Sequence, residues 1–304
     1  MIACVRLPHF AAALEAHDHP DLRDRAFVLV DGETTVSGVS AQAARAGVRT
    51  GMSTTQAHAL CADLVVRPAL HSRTQRAFGD LLDALTTFTT QVESETGLEL
   101  RADGRQRRQT LFLHPDQFDD FPTATCYLDL GTLKPDEAPD LARQMLRFVK
   151  QQTHTPAKLG LSSGKFPARV AATSVNSGEF LVVPGGHEAH FLAGFTAGLL
   201  PVDGETLRQL DLLGWHTLGD VAAQPAAALR DRFGKQGHTM HRLANGRDTN
   251  PVGHYQPPVV ARANRQLESP VADWPRLEVI LNAMVADAVA DALSLSLIHI
   301  SEPT

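Results

Sequence analysis

Apolar residues follow two different spacings at the start of the chain. Residues 2–7 and 26–30 are continuous apolar runs, and both predict strands. Between them, Phe10, Ala13 and Leu14 recur at helical spacing. The pattern therefore predicts a strand, a helix and a second strand in succession.

The same alternation continues to residue 183. Ser53 is the predicted N-cap of a short helix over residues 54–60. A helix predicted over residues 72–90 places its apolar side chains on one face, which indicates packing against a sheet. The other predicted elements are strands over residues 64–66, 127–130, 158–162 and 180–183, and helices over residues 136–152 and 165–175. This order predicts an α+β fold, built as a sheet with two helices on one face.

Two regions depart from this alternation. Residues 94–121 are charged and irregular, and we expect them to lie outside the core. From His187 onward the pattern is that of short helices without strands. Residues 251–258 are rich in proline and predict a linker, and the apolar pattern then resumes over residues 262–293.

Composition limits the classes of function. A chain of 304 residues with 43% hydrophobic residues is long enough for two or three domains with their own cores. Its net charge of -6 and pI of 6.1 exclude a protein that coats nucleic acid by overall charge, so any DNA contact must come from a local patch. We expect a soluble, cytoplasmic protein with no membrane contact, because the chain shows no signal segment and no apolar run of about 20 residues.

Cysteine and histidine do not form a metal site by their spacing. Cys4, Cys61 and Cys126 lie in apolar stretches without a CxxC pair, which indicates reduced thiols in the core. The histidines that lie near each other lack a cysteine or carboxylate cluster to complete a site. No cofactor or metal ion is therefore expected.

Several motifs agree in order with one family. ACVRLPHFAAALEA at the N-terminus, then the VSGVSAQAARAGVRTGM segment, resemble the palm and fingers of Y-family DNA polymerases. LDLLGWHTLGDVA, LRDRFGKQG and ANGRDTNPV resemble the thumb of the same family. The resemblance covers residues 1–293 and implies a mixed-sheet palm, fingers, an all-α thumb of the helix-hairpin-helix type and a truncated little finger.

The resemblance also implies domain boundaries. The palm is expected to comprise residues 1–10 and 70–186, and the fingers residues 11–69. The thumb is expected over residues 187–250, a linker over 251–261 and the start of the little finger over 262–293. The last stretch, residues 295–304, resembles a translated sequencing adapter that breaks the preceding helical pattern, so we expect the natural protein to continue differently beyond Leu293.

The matched catalytic positions lack their carboxylates. Active relatives place a metal-binding Asp in the first strand, where this chain has Arg6. The other two ligands fall on Ala124 and Thr125 if CYLDL anchors the alignment, or on Leu98 and Glu99 if QVES does. Two magnesium ions cannot be held by at most one carboxylate. A cation about 5 Å from a divalent ion adds on the order of 6 kcal/mol of repulsion at an effective dielectric of about 20. The alternative is that Arg6 is an exposed residue at a strand end, in a protein unrelated to polymerases.

The nucleotide contacts of the family are partly replaced. The steric gate against ribonucleotides corresponds to Ala11, and the Tyr and Arg that contact the triphosphate correspond to Ala41 and Ala44. Lys165 and Arg169 match the family's K-F-x-A-K helix. They are candidates for contact with a DNA phosphate, or ordinary solvated helix charges.

The thumb carries the strongest candidate DNA contact. Its first hairpin has lost the family's glycines, since Leu200 to Asp203 occupy their positions. The second region keeps Gly234 and Gly237, and glycine turns next to helix N-termini present backbone N–H groups to phosphate. Its cations outnumber the single acid, Asp231, and form a basic face: Arg230, Arg232, Lys235, Arg242 and Arg247.

A Y-family scaffold without metal ligands resembles ImuB-type proteins, the catalytically inactive adaptors of bacterial mutagenic translesion complexes. This implies a role in DNA damage tolerance and the SOS response, with DNA, the sliding clamp, a RecA-like accessory protein and an error-prone replicative-type polymerase as partners. Two alternatives stay open: a divergent active translesion polymerase that uses Glu99, and an interaction module that does not contact DNA.

Overall fold

The computed structural model describes residues 1–32, 34–95, 124–134, 136–255 and 273–300. The chain separates into one compact unit of Met1–Tyr255 and a second unit of Gln256–Thr304. Much of the irregular segment predicted over residues 94–121 lies outside the described residues, as does the linker from residue 256.

The first unit is organised around a five-stranded sheet with the order β5-β6-β1-β7-β8. Its strands are β1 (Ile2–Leu7), β5 (Val92–Ser94), β6 (Ala124–Asp129), β7 (Lys158–Ser162) and β8 (Phe180–Val182). The central strand β1 is antiparallel to both β6 and β7, while β7 and β8 are parallel. Because β1 is buried along its whole length, its side chains face a protein layer on both sides of the sheet.

Two long helices cover one face of this sheet. They are α4 (His71–Leu85) and α5 (Ala138–Thr153), and both carry an apolar stripe. Alternate residues of β1, Ala3, Val5 and Leu7, join them in one core. The two-helix layer predicted from the sequence is therefore confirmed.

A third helix, α6 (Lys165–Ser174), covers the opposite face. Its small residues Ala168 and Ala172 pack with Ile2 and Cys4 of β1. The close approach depends on Gly160 of β7, since a Cβ there would lie 2.0 Å from the Ala168 carbonyl oxygen. The opposite side of α6, with Phe166 and Val170, belongs to another core, that of the later helices.

A smaller sheet follows the first helix of the chain. After α1 (Phe10–Asp18), strands β2 (Phe27–Asp31), β3 (Thr35–Val39) and β4 (Val65–Pro68) pair in the order β3-β2-β4. Helices α2 (Ala41–Arg45) and α3 (Thr54–Leu60) complete this layer. The predicted cap at Ser53 is confirmed, and Gln56 completes a capping box with it.

The α-helices within residues 188–244 are α7 (Glu188–Leu192), α8 (Gly204–Leu212), α9 (Leu218–Ala222) and α10 (Ala226–Ala244). Their apolar side chains converge on a core that includes Leu200, Leu210 and Leu218. The predicted change from mixed structure to helices without strands is confirmed among the described residues, but α10, with 19 residues, is not short. None of the described helices combines the length and the apolar character that a membrane crossing requires.

The second unit contains α11 (Trp274–Ile300). The helix continues past Leu293, where we expected the pattern to break. Its last described stretch, residues 295–300, contains neither proline nor glycine, so no residue there interrupts the backbone hydrogen bonds.

Candidate functional site

The three positions matched to catalytic carboxylates lie side by side on the large sheet. In the register of β1 and β6, Arg6 is opposite Thr125 and Leu7 is opposite Ala124. Arg6 and Thr125 share the face covered by α6, because side chains alternate along each strand. Leu98 and Glu99, the positions of the other alignment, lie outside the described residues.

Arg6 is a buried residue. Only 4% of it is exposed, and its Nη1 donates to the Thr173 hydroxyl on α6. This excludes the alternative of an exposed strand-end side chain. A buried guanidinium thus lies opposite Thr125, on the face of the sheet that α6 covers.

The described residues hold no cluster of three or more histidine, cysteine or acidic side chains that could bind a metal ion. Ala124 and Thr125 are both buried and offer no negative charge. Within the described chain, Arg6, Ala124 and Thr125 therefore supply none of the carboxylates that two magnesium ions require.

Lys165 has an acidic partner within the fold. Its Nζ lies 2.9 Å from Oε1 and 2.8 Å from Oε2 of Glu93, on β5. The backbone N–H of Gly253 donates to the same carboxylate at 2.6 Å. The Lys165 side chain is 17% exposed, so this pair is largely shielded from solvent. The sequence predicted that Lys165 contacts either solvent or a phosphate, whereas in the structure it forms an ion pair with Glu93.

Arg169, one turn further along α6, is paired in the same way. Its Nη1 lies 2.6 Å from Oε1 of Glu95, and the Tyr127 hydroxyl donates to Oε2 at 2.9 Å. Burial lowers the pKa of Arg169, but the interactions with Glu95, Tyr127 and Cys4 outweigh the effect of burial and raise this pKa overall. Burial raises the pKa of Tyr127 well above its ordinary value. Arg169 is therefore a fixed cation within an ionic layer between the sheet and α6.

A third acid holds the start of α6. The backbone N–H of Phe166 donates to Oδ2 of Asp248 at 2.8 Å. Asp248 follows α10, so it ties the segment after the late helices to the first turn of α6. This carboxylate satisfies a helix N–H group that would otherwise be open to an anion.

The positions matched to the other triphosphate contacts present only methyl groups. Ala41 and Ala44 lie on α2, whose first turn is capped by Ser40, and Ala11 lies on α1. None of the three can donate a hydrogen bond from its side chain to a phosphate or a ribose.

The first hairpin of the late helices is closed by its own acid. Asp203 is the N-cap of α8, and its carboxylate accepts the Thr206 N–H at 2.8 Å. Hydrogen bonds to this carboxylate, mainly the one from the Thr206 N–H, lower the pKa of Asp203. A fixed negative charge at this helix start disfavours a phosphate.

The second candidate, on α10, is open to solvent. Gly234 has φ 61° and ψ -137°, and it kinks the helix between its two halves. Arg230, Arg232 and Lys235 are exposed around this kink. Within the described part of the chain, none of the three has an acidic partner in an ion pair.

Two other residues of the predicted basic face have internal roles. Arg242 is partly buried and donates to the Arg247 carbonyl at 3.4 Å and to the Thr249 hydroxyl. Gly237 is buried, and a Cβ there would lie 2.0 Å from the Leu229 carbonyl oxygen. Gly237 is therefore required for close packing of the two helix halves. The exposed basic face is reduced to Arg230, Arg232, Lys235 and Arg247.

A family model described as impB/mucB/samB matches residues 5–173, more than half of the chain. The chain belongs to that family. Curated relatives of this impB/mucB/samB protein include DNA polymerase IV of Xanthomonas campestris pv. campestris, 26% identical over 83% of this chain and 64% of the relative. DNA polymerase IV of Stenotrophomonas maltophilia is 26% identical over 82% of this chain and 62% of its own length. The chain thus spans less than two thirds of these relatives.

Solved structures show the same fold. A crystal structure of DinB from Sulfolobus solfataricus superposes with a TM-score of 0.66 at 17% identity, over 83% of this chain and 69% of that one. A ternary complex of Dbh gives 0.67 at 17% identity, over 96% of this chain and 80% of that one. The fold predicted from the resemblance, that of Y-family polymerases, is confirmed.

Sequence reasoning missed Glu93, Glu95 and Asp248. Glu93 and Glu95 stand two residues apart in QVESE, so on a strand they share a face. That spacing could have indicated them. Glu93 lies in a three-residue edge strand, which the apolar pattern did not predict, and Glu95 directly follows that strand.

Proposed function

We propose that this impB/mucB/samB protein is a non-catalytic subunit of a bacterial translesion complex, which binds DNA and recruits an error-prone polymerase. The observation that supports the proposal is the buried Arg6 opposite Thr125, on the strand pair that the resemblance matches to the metal-binding strands of Y-family polymerases.

The chemistry of nucleotidyl transfer supports this role. Two metal ions neutralise the attacking and leaving oxygens, and carboxylates hold those ions. Arg6 brings a positive charge to the same face, and Ala124 and Thr125 supply no compensating acid. Metal binding would be opposed both by repulsion and by the lack of ligands.

Contact with DNA is proposed for α10. Exposed cations around the Gly234 kink can neutralise phosphates without reading the base sequence. The relatives are named DNA polymerases, and one solved structure is titled an insertion ternary complex of Dbh DNA polymerase. Lys165 and Arg169 are not expected to contribute, because Glu93 and Glu95 already pair with them.

The partners follow from the resemblance to ImuB-type adaptors. We propose the sliding clamp, a RecA-like accessory protein and an error-prone replicative-type polymerase, which carries out the synthesis. The competing function is a divergent active polymerase, which the names of the curated relatives favour.

Primer extension decides between the two. With purified chain, primer-template DNA and either Mg²⁺ or Mn²⁺, we expect binding of the DNA but no extension. DNA polymerase IV of Xanthomonas campestris serves as the positive control. Extension that Glu99→Ala abolishes would establish an active polymerase. Absence of DNA binding at low salt would favour an interaction module instead.

A further inference from the structure

We propose that Glu93 and Glu95 act as built-in substitutes for phosphate, closing the cationic cradle of Lys165 and Arg169 to nucleoside triphosphates. This inference goes beyond the proposed adaptor role. It depends on neither DNA nor partner proteins.

The cradle has the chemistry of a polyphosphate site. Lys165 and Arg169 are four residues apart on α6, so their side chains lie on the same face one turn apart. An ammonium and a guanidinium at this spacing can bind neighbouring phosphate groups through charge-assisted hydrogen bonds. Both side chains are largely buried between α6 and the sheet, at 17% and 14% exposed.

Each cation is already satisfied by one carboxylate. Glu93 meets Lys165 through both of its oxygens, and Glu95 meets Arg169 at 2.6 Å. Glu93 lies on β5 and is held by the strand pairing with β6. Glu95 directly follows β5, and its backbone N–H donates to the Thr125 carbonyl of β6 at 2.9 Å. The charges of these two cations and two acids cancel, so the two pairs by themselves offer no net attraction for an incoming anion.

Both carboxylates are held by second contacts. The Gly253 N–H fixes Glu93, and the Tyr127 hydroxyl fixes Glu95. A triphosphate would have to displace two anchored carboxylates and then remain beside them as a like charge. Such a like-charge contact is a strong barrier in a partly desolvated site.

The test is Glu93→Gln with Glu95→Gln, which keeps the side-chain shape and one acceptor oxygen per residue but removes both negative charges. The probe is inorganic tripolyphosphate, titrated by calorimetry at low salt without metal ions. We expect the double variant to bind at least about tenfold more tightly than the parent, because two like charges are lost beside the cations. Adding Lys165→Ala should remove the gain.

Glu137→Gln with Glu205→Gln is the matched control. It makes the same charge change at two exposed glutamates. Glu137 pairs with Lys134 and Glu205 pairs with Arg208, so each ion pair joins residues three positions apart. We expect no gain in this control. An equal gain there, or no gain in a folded Glu93→Gln/Glu95→Gln variant, would overturn the proposal.

Two further measurements cover the case in which the double variant does not fold. Glu93→Gln alone alters the more exposed of the two acids and should give a smaller gain. In the parent chain, Lys165→Ala should leave tripolyphosphate binding unchanged, since the lysine is already paired. Loss of binding in that variant would show an open cradle and refute the idea. None of these readouts involves DNA or extension, so they stand apart from the test of the proposed function.

Discussion

Replacing Arg232 and Lys235 by alanine tests whether the exposed face of α10 contacts DNA. Both side chains are exposed beside the Gly234 kink, and neither has an acidic ion-pair partner among the described residues. Binding through such cations releases counterions from DNA, so it weakens steeply with salt and does not depend on base sequence.

The structure sets the expected magnitude. If Arg230, Arg232 and Lys235 each neutralise one phosphate, the slope of log K against log salt is about -2.7. The parent should then lose about 40-fold in affinity between about 50 mM and 200 mM salt. With Arg230 the only one of these three left, the slope should fall to about -0.9 and the loss to about 3.5-fold. Arg242 adds little to this count, because the Arg247 carbonyl and the Thr249 hydroxyl engage it.

Fluorescence anisotropy with labelled primer-template DNA across a salt series measures both quantities. Arg147→Ala with Lys150→Ala is the matched control, since it removes the same residue types at the same spacing from the exposed side of α5. We expect the control to behave as the parent does. An unchanged affinity and slope in the Arg232→Ala/Lys235→Ala variant would refute a DNA contact at this face.

Two other predictions concern the fold around the site. Gly160→Ala should lower the free energy of unfolding by about 3 kcal/mol, at the upper end of the range for overpacking, since the new Cβ would meet the Ala168 carbonyl at 2.0 Å. Urea denaturation measures this change, and Gly185→Ala, which meets no atom within 4 Å, should be close to neutral. Native thiol labelling at pH 8 should modify Cys61 alone, because burial raises the pKa of Cys4 to about 12 and also raises that of Cys126. All three thiols should react after unfolding, and rapid native labelling of Cys4 would contradict the buried assignment.

Much of the fold follows from the apolar pattern. Strand β1 and helix α4 were predicted because their apolar residues follow one clear period and lead into a large core. The cap at Ser53 was predicted because its side chain bonds only three residues away. Elements of this kind are encoded locally, so no knowledge of distant contacts is needed to find them.

The ionic layer could not be predicted in the same way. Lys165 and Glu93 are 72 residues apart in the chain, and only the pairing of β5 with β6 brings them together. Strand β5 has three residues and carries Glu93, so it has neither the length nor the apolar character of a predicted strand. Such pairs depend on sheet topology, which the local pattern does not contain.

The position of α6 explains why its two cations pair with Glu93 and Glu95. One side of the helix packs on the sheet through Ala168 and Ala172, and another packs in the core of the late helices through Phe166. Its cationic side must lie close to β5 for either contact to form. There Glu93 and Glu95 compensate the charges of Lys165 and Arg169, which would otherwise be desolvated and unpaired. Removing either cation alone should therefore leave a shielded carboxylate without its partner, so Lys165 and Arg169 have a role in stability that needs no nucleotide.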